Sequence, residues 1–305
     1  MRNAMTPHQL NQSTKLIILV VNKWWELDPI LSVFLENLPE AKPQLERHPR
    51  ARPNQNALPP EELEPKPRAV FSFMNVRLEM WCIADLLEHV STTGSLHSST
   101  QMKALQLPKI FNGRDYDLVI ALGTGASIGP DSLNGSVVVG TKVFMHNAHP
   151  NRDNPNSDWG DGPFDCVVDS SFDPALFSGA TRFGEAEVIN RFLPVPNGFF
   201  PKIVIDYNAV ALNTINVTDH REYEVLDAVT VNAFINANSP FLGRSIETTH
   251  GLIRIYGGPS FISITAITNR LGHFKGEASS AQKTAAAHNA GVVAAQIISN
   301  ITKLL

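Results

Sequence analysis

An α/β fold, with a sheet covered by helices, is predicted by three features of the sequence. Short apolar runs rich in β-branched residues recur along the chain, and residues 16–21 and 118–122 are the clearest of them. Such runs are typical of strands buried on both faces. Segments with helical apolar spacing alternate with these runs, and an alanine-rich amphipathic segment at 279–305 closes the chain. Alternating strands and helices favour a layered α/β architecture.

The individual elements follow from apolar periodicity and from the turn-forming residues between them. Strands are predicted at residues 16–21, 69–73, 76–83, 118–122, 137–145, 228–235 and 260–267. Helices are predicted at residues 30–38, 98–111, 203–217, 247–256 and 279–305. Residues 69–83 have the pattern of a hairpin, and the Ser-Ser-Thr start of the segment 98–111 is a favourable beginning for a helix. Residues 150–165 are rich in Asn, Asp, Gly and Pro, which predicts a loop.

Residues 39–68 interrupt this alternation. They are rich in proline and in charged residues, and such a composition cannot pack a core. We therefore expect a long surface insertion at 39–68. No linker separates two cores, so residues 1–305 are predicted to form a single domain.

The composition excludes several classes of function. Apolar residues make up 43% and charged residues 18% of the chain, which is typical of a soluble globular protein. The formal net charge is −4 and no long basic run occurs, which argues against nucleic acid or a membrane as the partner. Two cysteines are too few for a disulfide framework. A cytoplasmic protein is the expectation.

Candidate site residues follow predicted strands, because ligands of open α/β sheets bind at the carboxyl ends of strands. Glu26 comes after the first strand and after two tryptophans, which could shield it and raise its pKa into the range of a general base. The alternative is a carboxylate that stabilises a helix N-terminus.

Residues 123–127 read Gly-Thr-Gly-Ala-Ser and follow the strand at 118–122. The backbone N–H groups of Gly123 and Thr124 could hold an anion or approach a sugar closely. A simple tight turn explains the same residues, and no lysine follows to complete a P-loop.

Three further residues have a structural explanation beside the functional one. Phe234, at the end of the strand 228–235, is either a core residue or a platform on which a base stacks. Asn269 follows a strand and is either a turn residue or a hydrogen-bond donor to a ligand. Glu247, by itself, is a favourable charge in the first turn of a helix.

The histidines do not form a metal motif. His146 and His149 lie at a strand end, without the H-E-x-x-H pattern and without a cysteine partner. A G-x-S-x-G elbow is also missing, so a hydrolase triad lacks its anchor. We therefore predict that no metal and no cofactor take part.

Seven segments occur in an order that is typical of one enzyme family. They are LIILVVNKWWEL (16–27), LVIALGTGASIGPDSLNGSVVV (118–139), KVFMHNAHP (142–150), VTVNAFIN (229–236), SIETTHGL (245–252), ISITAITNR (262–270) and KTAAAHNAGVVAAQII (283–298). The chain resembles the nucleoside phosphorylase/nucleosidase family, and within it the 5′-methylthioadenosine/S-adenosylhomocysteine nucleosidase branch. The resemblance runs from about residue 16 to the C-terminus, outside the insertion.

This resemblance implies a three-layer α/β/α domain with a mixed, partly barrel-like sheet, and cleavage of the N-glycosidic bond of a purine nucleoside by water. It implies that Glu26 activates the water and that Glu247 binds the ribose hydroxyls. Phe234 would stack on the purine, with Ile235 next to it, and Asn269 would contact the departing base.

The resemblance also assigns four residues to substrate binding. Gly123 and Thr124 belong to the family's glycine segment. His146 takes the central position of a Tyr-His-Asp segment that reads Met-His-Asn here, and Ile246 replaces the methionine of the Met-Glu motif. The resemblance further implies a homo-oligomer, either a dimer or a trimer of dimers.

Departures from the family pattern keep two other functions open. The nucleosidases have an Asp where this chain has Asn269, and an amide cannot deliver a proton. Asn269 therefore indicates either a 6-oxopurine substrate or a nucleoside-binding or storage protein without catalysis. A phosphorylase, with inorganic phosphate as co-substrate, is the other alternative. The arginine that the bacterial phosphorylases carry before the glycine segment is Ala121 here, which favours water.

Overall fold

The computed structural model describes residues 14–38, 42–45, 65–73, 75–88, 100–127, 134–147, 164–167, 203–206, 209–213, 245–270 and 277–304. The strands within these ranges are β1 Lys15–Val21, β2 Lys42–Leu45, β3 Ala69–Phe73, β4 Val76–Cys82, β5 Leu118–Ser127, β6 Val137–Gly140, β7 Lys142–Asn147, β8 Phe164–Asp165, β9 Ile203–Asp206, β10 Ala209–Asn213, β11 Ser245–Glu247 and β12 Phe261–Arg270. The helices are α1 Trp24–Asn37, α2 Ile83–Glu88, α3 Thr100–Gln106, α4 Pro108–Phe111, α5 His250–Gly257 and α6 Ser280–Leu304.

These strands form one mixed sheet. Its main path runs β2-β3-β4-β1-β5-β11-β10-β7-β8, and β12 pairs with both β5 and β6, while β9 pairs with β6. The pairs β1–β4, β1–β5 and β5–β12 are parallel, whereas β3–β4, β5–β11 and β6–β12 are antiparallel. The sheet therefore forks at β5, which has β12 along one edge and two successive partners along the other.

The two partners on that edge of β5 leave a gap between them. β1 pairs with the first half of β5, up to Val21 opposite Leu122. β11 begins to pair at Ala126, which lies opposite Ile246. Among the described strands, neither β1 nor β11 pairs with Gly123–Gly125, so this edge of the strand is open to side chains.

Helices cover both faces of the sheet, because successive side chains of a strand point to opposite faces. In β1, Ile17, Leu19 and Val21 pack into the cluster that contains α1 and α6, and Ile18 and Val20 pack into the cluster of α4 and α5. Helices α1 and α6 lie against each other at Gly291, where an added Cβ would come within 3.1 Å of Ile30 Cα. None of the helices in the described ranges is long and apolar enough to cross a membrane.

The structure confirms several predicted elements closely. The first strand, the antiparallel hairpin of β3 and β4 and the long C-terminal helix all lie where the apolar pattern put them. β12 is also present, but it continues to Arg270, so Asn269 lies inside the strand rather than after it. The predicted strand at 228–235 lies outside the described residues.

Other elements were predicted wrongly, and each error has a physical reason. The segment 203–217 contains the strands β9 and β10 instead of a helix, since the β-branched run that opens it fits a sheet surface better than a helix. The segment 98–111 contains two helices, and Pro108 begins the second because it has no N–H to continue the first. The strand predicted at 137–145 is divided into β6 and β7 around Thr141.

The two remaining corrections concern the insertion and the glycine segment. Part of the insertion, Lys42–Leu45, pairs as an edge strand with β3, and the strand contains Pro43, which an edge strand tolerates. Residues 123–127 are not a turn, since they continue β5, with β12 as the neighbour that supports them.

Gly125 has a steric role in this arrangement. A Cβ at this position would lie 2.5 Å from the carbonyl oxygen of Ile246 and 2.8 Å from Thr265 Cγ2. We expect Gly125→Ala to lower the free energy of unfolding by about 2 kcal/mol, because the backbone of β11 would have to move. Gly123→Ala is the matched control, since its Cβ would meet nothing closer than Glu26 Oε1 at 3.2 Å. Equal urea midpoints for the two variants would contradict the close approach of β11.

Candidate active site

The open edge of β5 brings together the two carboxylates that the sequence analysis selected. The carboxylate of Glu26 lies over Gly123, and the Cβ of Glu247 lies beside Gly125. Residues two apart on a strand share one face and are about 7 Å apart. The two glycines therefore let Glu26 and Glu247 approach the same short stretch of β5 closely.

Glu26 lies at a helix N-terminus, as the structural alternative in the sequence analysis predicted. It lies in the first turn of α1, where its Oε2 accepts a hydrogen bond from the backbone N–H of Lys23 at 3.0 Å. Its Oε1 accepts two more hydrogen bonds from Thr124, from the backbone N–H at 2.9 Å and from the hydroxyl at 2.7 Å. An ionised carboxylate has about four acceptor positions. Three are filled here, and the fourth, on Oε2, can receive a further donor.

The pKa of Glu26 is raised, primarily because burial penalises its charged form. The hydrogen bonds from Thr124 and Lys23 act in the opposite direction. A carboxylate of this kind is a stronger base than an exposed one, while its hydrogen bonds hold it in a single orientation.

Glu247 was predicted to lie in the first turn of a helix, and this prediction was wrong, since Glu247 ends β11 and the helix begins only at His250. Its Oε2 accepts hydrogen bonds from the backbone N–H groups of Thr249 and, at 2.8 Å, of His250. Its Oε1 is buried and has no hydrogen-bond partner among the described residues. A buried acceptor that is left unpaired is costly, and one that faces a ligand site is a candidate for binding ligand hydroxyl groups.

Burial raises the pKa of Glu247 to about 7. The two N–H donors and the positive charge of Lys103 oppose this shift. The ionisation of Glu247 therefore changes near neutral pH, which makes its capacity to accept hydrogen bonds sensitive to pH in that range.

Two other buried ionisable groups complete the site, and sequence reasoning missed both. The relative exposures of Glu26, Lys103, Glu247 and His250 are 3%, 2%, 6% and 3%. Burial lowers the pKa of Lys103 to about 7 and that of His250 to about 4, and each of these groups also feels the charge of Glu26. Position 250, three residues after Glu247, could have been found from the sequence, whereas Lys103 lies 144 residues from Glu247 and carries no motif.

Asn269 lies on β12 opposite Ala126, next to a bulge that follows Ile267. Its Oδ1 accepts a hydrogen bond from Thr268 Oγ1 at 2.6 Å, and its Nδ2 donates one to the Arg270 carbonyl at 2.8 Å. The second N–H of Nδ2 is left for another acceptor. Asn269 therefore stands at the same end of β5 as the two carboxylates.

The other predicted binding residues are only partly described. Thr124 contacts Glu26, as given above, and Ile246 is buried on β11 with its backbone against Gly125. His146 lies on β7, but its side chain is outside the described part of the structure. Phe234 and Ile235 lie outside the described residues. Within the described ranges, no group of three His, Cys, Asp or Glu side chains is arranged to hold a metal ion.

This arrangement offers distinct chemical capacities at neighbouring positions. Glu26 can accept a proton from one further donor, and Glu247 can accept hydrogen bonds through Oε1 and place a negative charge beside a bound molecule. Asn269 can donate a hydrogen bond. A base, a negative charge and a donor at the same end of β5 suit a reaction in which positive charge develops at the centre of the ligand and negative charge on its leaving group.

Comparisons with known proteins identify solved structures with a similar fold. No protein-family model matches the chain, and no curated protein matches it. One similar solved structure is an MTA/SAH nucleosidase, with a TM-score of 0.53 and 12% identity over 95% of this chain and 97% of that one. The Arabidopsis thaliana 5′-methylthioadenosine nucleosidase has a TM-score of 0.52 and 12% identity over 95% of this chain and 97% of that one. The futalosine hydrolase of Helicobacter pylori strain 26695 has a TM-score of 0.50 and 13% identity over 94% of this chain and 98% of that one.

These similarities extend over nearly the whole of each chain. At such low sequence identity they establish a common fold and nothing further. The mixed sheet between helical layers agrees with the architecture that the sequence predicted. The chain has the α/β fold of the 5′-methylthioadenosine/S-adenosylhomocysteine nucleosidases, and the resemblance found in its sequence is confirmed at that level.

Proposed function

We propose that this protein hydrolyses the N-glycosidic bond of a purine nucleoside. The observation that carries the proposal is the contact between Glu26 and Thr124. The backbone N–H and the hydroxyl of Thr124 both donate to Glu26 Oε1, so the donors that a phosphate ion would need are occupied by a carboxylate. A buried negative charge at this position also repels an anionic nucleophile. Water is therefore the nucleophile that the site supports best.

In the proposed reaction, the bond between the anomeric carbon and the purine nitrogen breaks while the water oxygen bonds to that carbon. The open acceptor position on Glu26 Oε2 receives the proton of the attacking water. Oε1 of Glu247 accepts hydrogen bonds from the two ribose hydroxyls and favours the positive charge that develops on the sugar. The electron pair of the broken bond goes to the purine, and the free N–H of Asn269 stabilises the charge there.

We also propose binding roles for the remaining residues that the resemblance assigns to the substrate site. Gly123 lets the carboxylate of Glu26 approach β5, and Gly125 does the same for the strand that carries Glu247. We propose His146, Phe234 and Ile235 as further contacts to the nucleoside, and we propose that no cofactor takes part. The nucleosidases of similar fold provide the precedent for this reaction, at the level of the fold.

Purine release tests the proposal directly. With adenosine, 5′-methylthioadenosine, inosine and guanosine as substrates, we expect release of free base in buffer without phosphate, with no increase when phosphate is added. Glu26→Gln should lower kcat by between about 10² and 10⁴-fold, because the amide cannot take the proton of water. Glu36→Gln, an exposed glutamate on the same helix, is the matched control and should keep the full rate. Release that requires phosphate would overturn the proposal in favour of a phosphorylase.

The pKa of Glu247 predicts how affinity changes with pH. A C-nucleoside analogue, in which a carbon–carbon bond replaces the glycosidic bond, can be titrated by calorimetry without turnover. We expect its affinity to decrease as the pH falls through about 7, because protonated Glu247 loses acceptor capacity. The affinity of Glu247→Gln should be lower than that of the wild type above pH 7 and should vary much less across this range. An affinity of the wild type that does not change between pH 6 and 8 would contradict the role of Glu247.

Asn269 distinguishes an efficient enzyme from a nucleoside-binding protein without catalysis. An Asp at this position would still accept the hydrogen bond from Thr268 and could also protonate the departing purine. We expect Asn269→Asp to raise the rate of adenosine cleavage, relative to inosine cleavage, by about 10²-fold. If the wild type binds nucleosides without turnover and Asn269→Asp restores it, the non-catalytic alternative is correct. An unchanged ratio of the two substrates would show that Asn269 does not contact the base.

A further inference from the structure

Lys103 is a buried cation that the proposed reaction does not use. It lies on α3 and is 2% exposed, yet the described structure gives it no direct carboxylate partner. Its Nζ donates hydrogen bonds to Thr249 Oγ1 at 3.0 Å and to Thr248 Oγ1 at 3.2 Å, and it lies 3.5 Å from the Thr248 carbonyl. Burial of an ammonium group is costly, so a lysine in this position needs a compensating negative charge nearby.

The two threonines connect Lys103 to Glu247. They follow Glu247 directly in the chain, and the backbone N–H of Thr249 donates to Glu247 Oε2. The turn that holds this carboxylate is therefore tied to α3 through the ammonium group. Every hydrogen bond that the described structure gives to the ammonium group of Lys103 goes to this turn.

We propose that Lys103 is a positioning residue for Glu247: its ammonium group fixes the turn at Thr248 and Thr249, so that one oxygen of Glu247 is bound and the other is open to the substrate. This inference rests on the proposed function. It adds a residue from a distant part of the chain to the machinery that binds the sugar.

The electrostatics of the site agree with this role. The charge of Lys103 lowers the pKa of Glu247, and the charge of Glu247 raises the pKa of Lys103. Lys103 also faces Glu26, which favours its charged form, and Lys23, which disfavours it, while His250 is held neutral mainly by burial. Within the described residues, these are the charged and titratable groups that act on the pair.

Lys103→Met tests the proposal, because it removes the charge and the donors while it keeps most of the apolar length. We expect weaker binding of the C-nucleoside analogue by about tenfold at pH 7, where a substantial fraction of Lys103 is still charged. The acidic limb of the affinity profile, in which affinity falls as Glu247 is protonated, should shift to higher pH by about one unit, because Glu247 loses a neighbouring positive charge. In Lys103→Arg, the pH at which the affinity falls should stay near its wild-type value. Lys109→Met is the matched control, since Lys109 is exposed on the next helix. A loss of affinity without a shift of the limb would reduce Lys103 to a structural residue and overturn the proposal.

A second measurement is independent of nucleoside binding. In urea unfolding, the loss of stability caused by Lys103→Met should be smaller in the Glu247→Gln background than in the wild type, because no unpaired carboxylate is left there. Additive effects of the two substitutions would overturn the proposal even if the enzyme is active. If the wild type releases no purine and binds no nucleoside, the proposed function fails, whereas this cycle still tests the coupling of Lys103 to Glu247.

Discussion

The hydrogen bonds between Glu26 and Thr124 are the interaction on which the site depends. β5 passes from one partner strand to another, and the backbone N–H of Thr124 lies at the gap between them. A buried N–H group needs an acceptor, and the carboxylate of Glu26 supplies it from the first turn of α1. The same contact that completes the hydrogen bonding of the sheet therefore orients a base, so the stability of the fold and the geometry of the site have a common origin.

Charge compensation is the second principle that links the residues of the site. Burial raises the pKa of both glutamates and lowers that of Lys103, which reflects the cost of removing each charge from water. The N–H donors around each carboxylate and the opposite charge of Lys103 offset part of this cost. The ionisation of Glu247 and of Lys103 therefore changes near neutral pH, and a change in one of these groups alters the protonation of the other.

Much of the fold was predictable from local patterns. The continuous apolar runs of β1 and β5 and the alanine-rich face of α6 are local signals, and each appears as expected. The segment 203–217 shows the limit of this approach, since its apolar residues suit a helix or a strand and only pairing with β6, β7 and β11 settles the matter. The glycine segment shows the same limit, because a strand is identified there by its neighbour β12.

The sequence by itself determined the fold class and the residues with the chemistry for the site, because burial patterns and residue types are local properties of the chain. It singled out Glu26, Glu247 and Asn269 from their positions after apolar segments and from the order of the family-like segments. The tertiary structure alone decided that Glu26 binds Thr124, that one oxygen of Glu247 is open, and that Lys103 is joined to the turn after Glu247. The contacts of Glu26 and Lys103 join residues about 100 or more positions apart, and the packing of helices against the sheet, rather than any local pattern, brings such residues together.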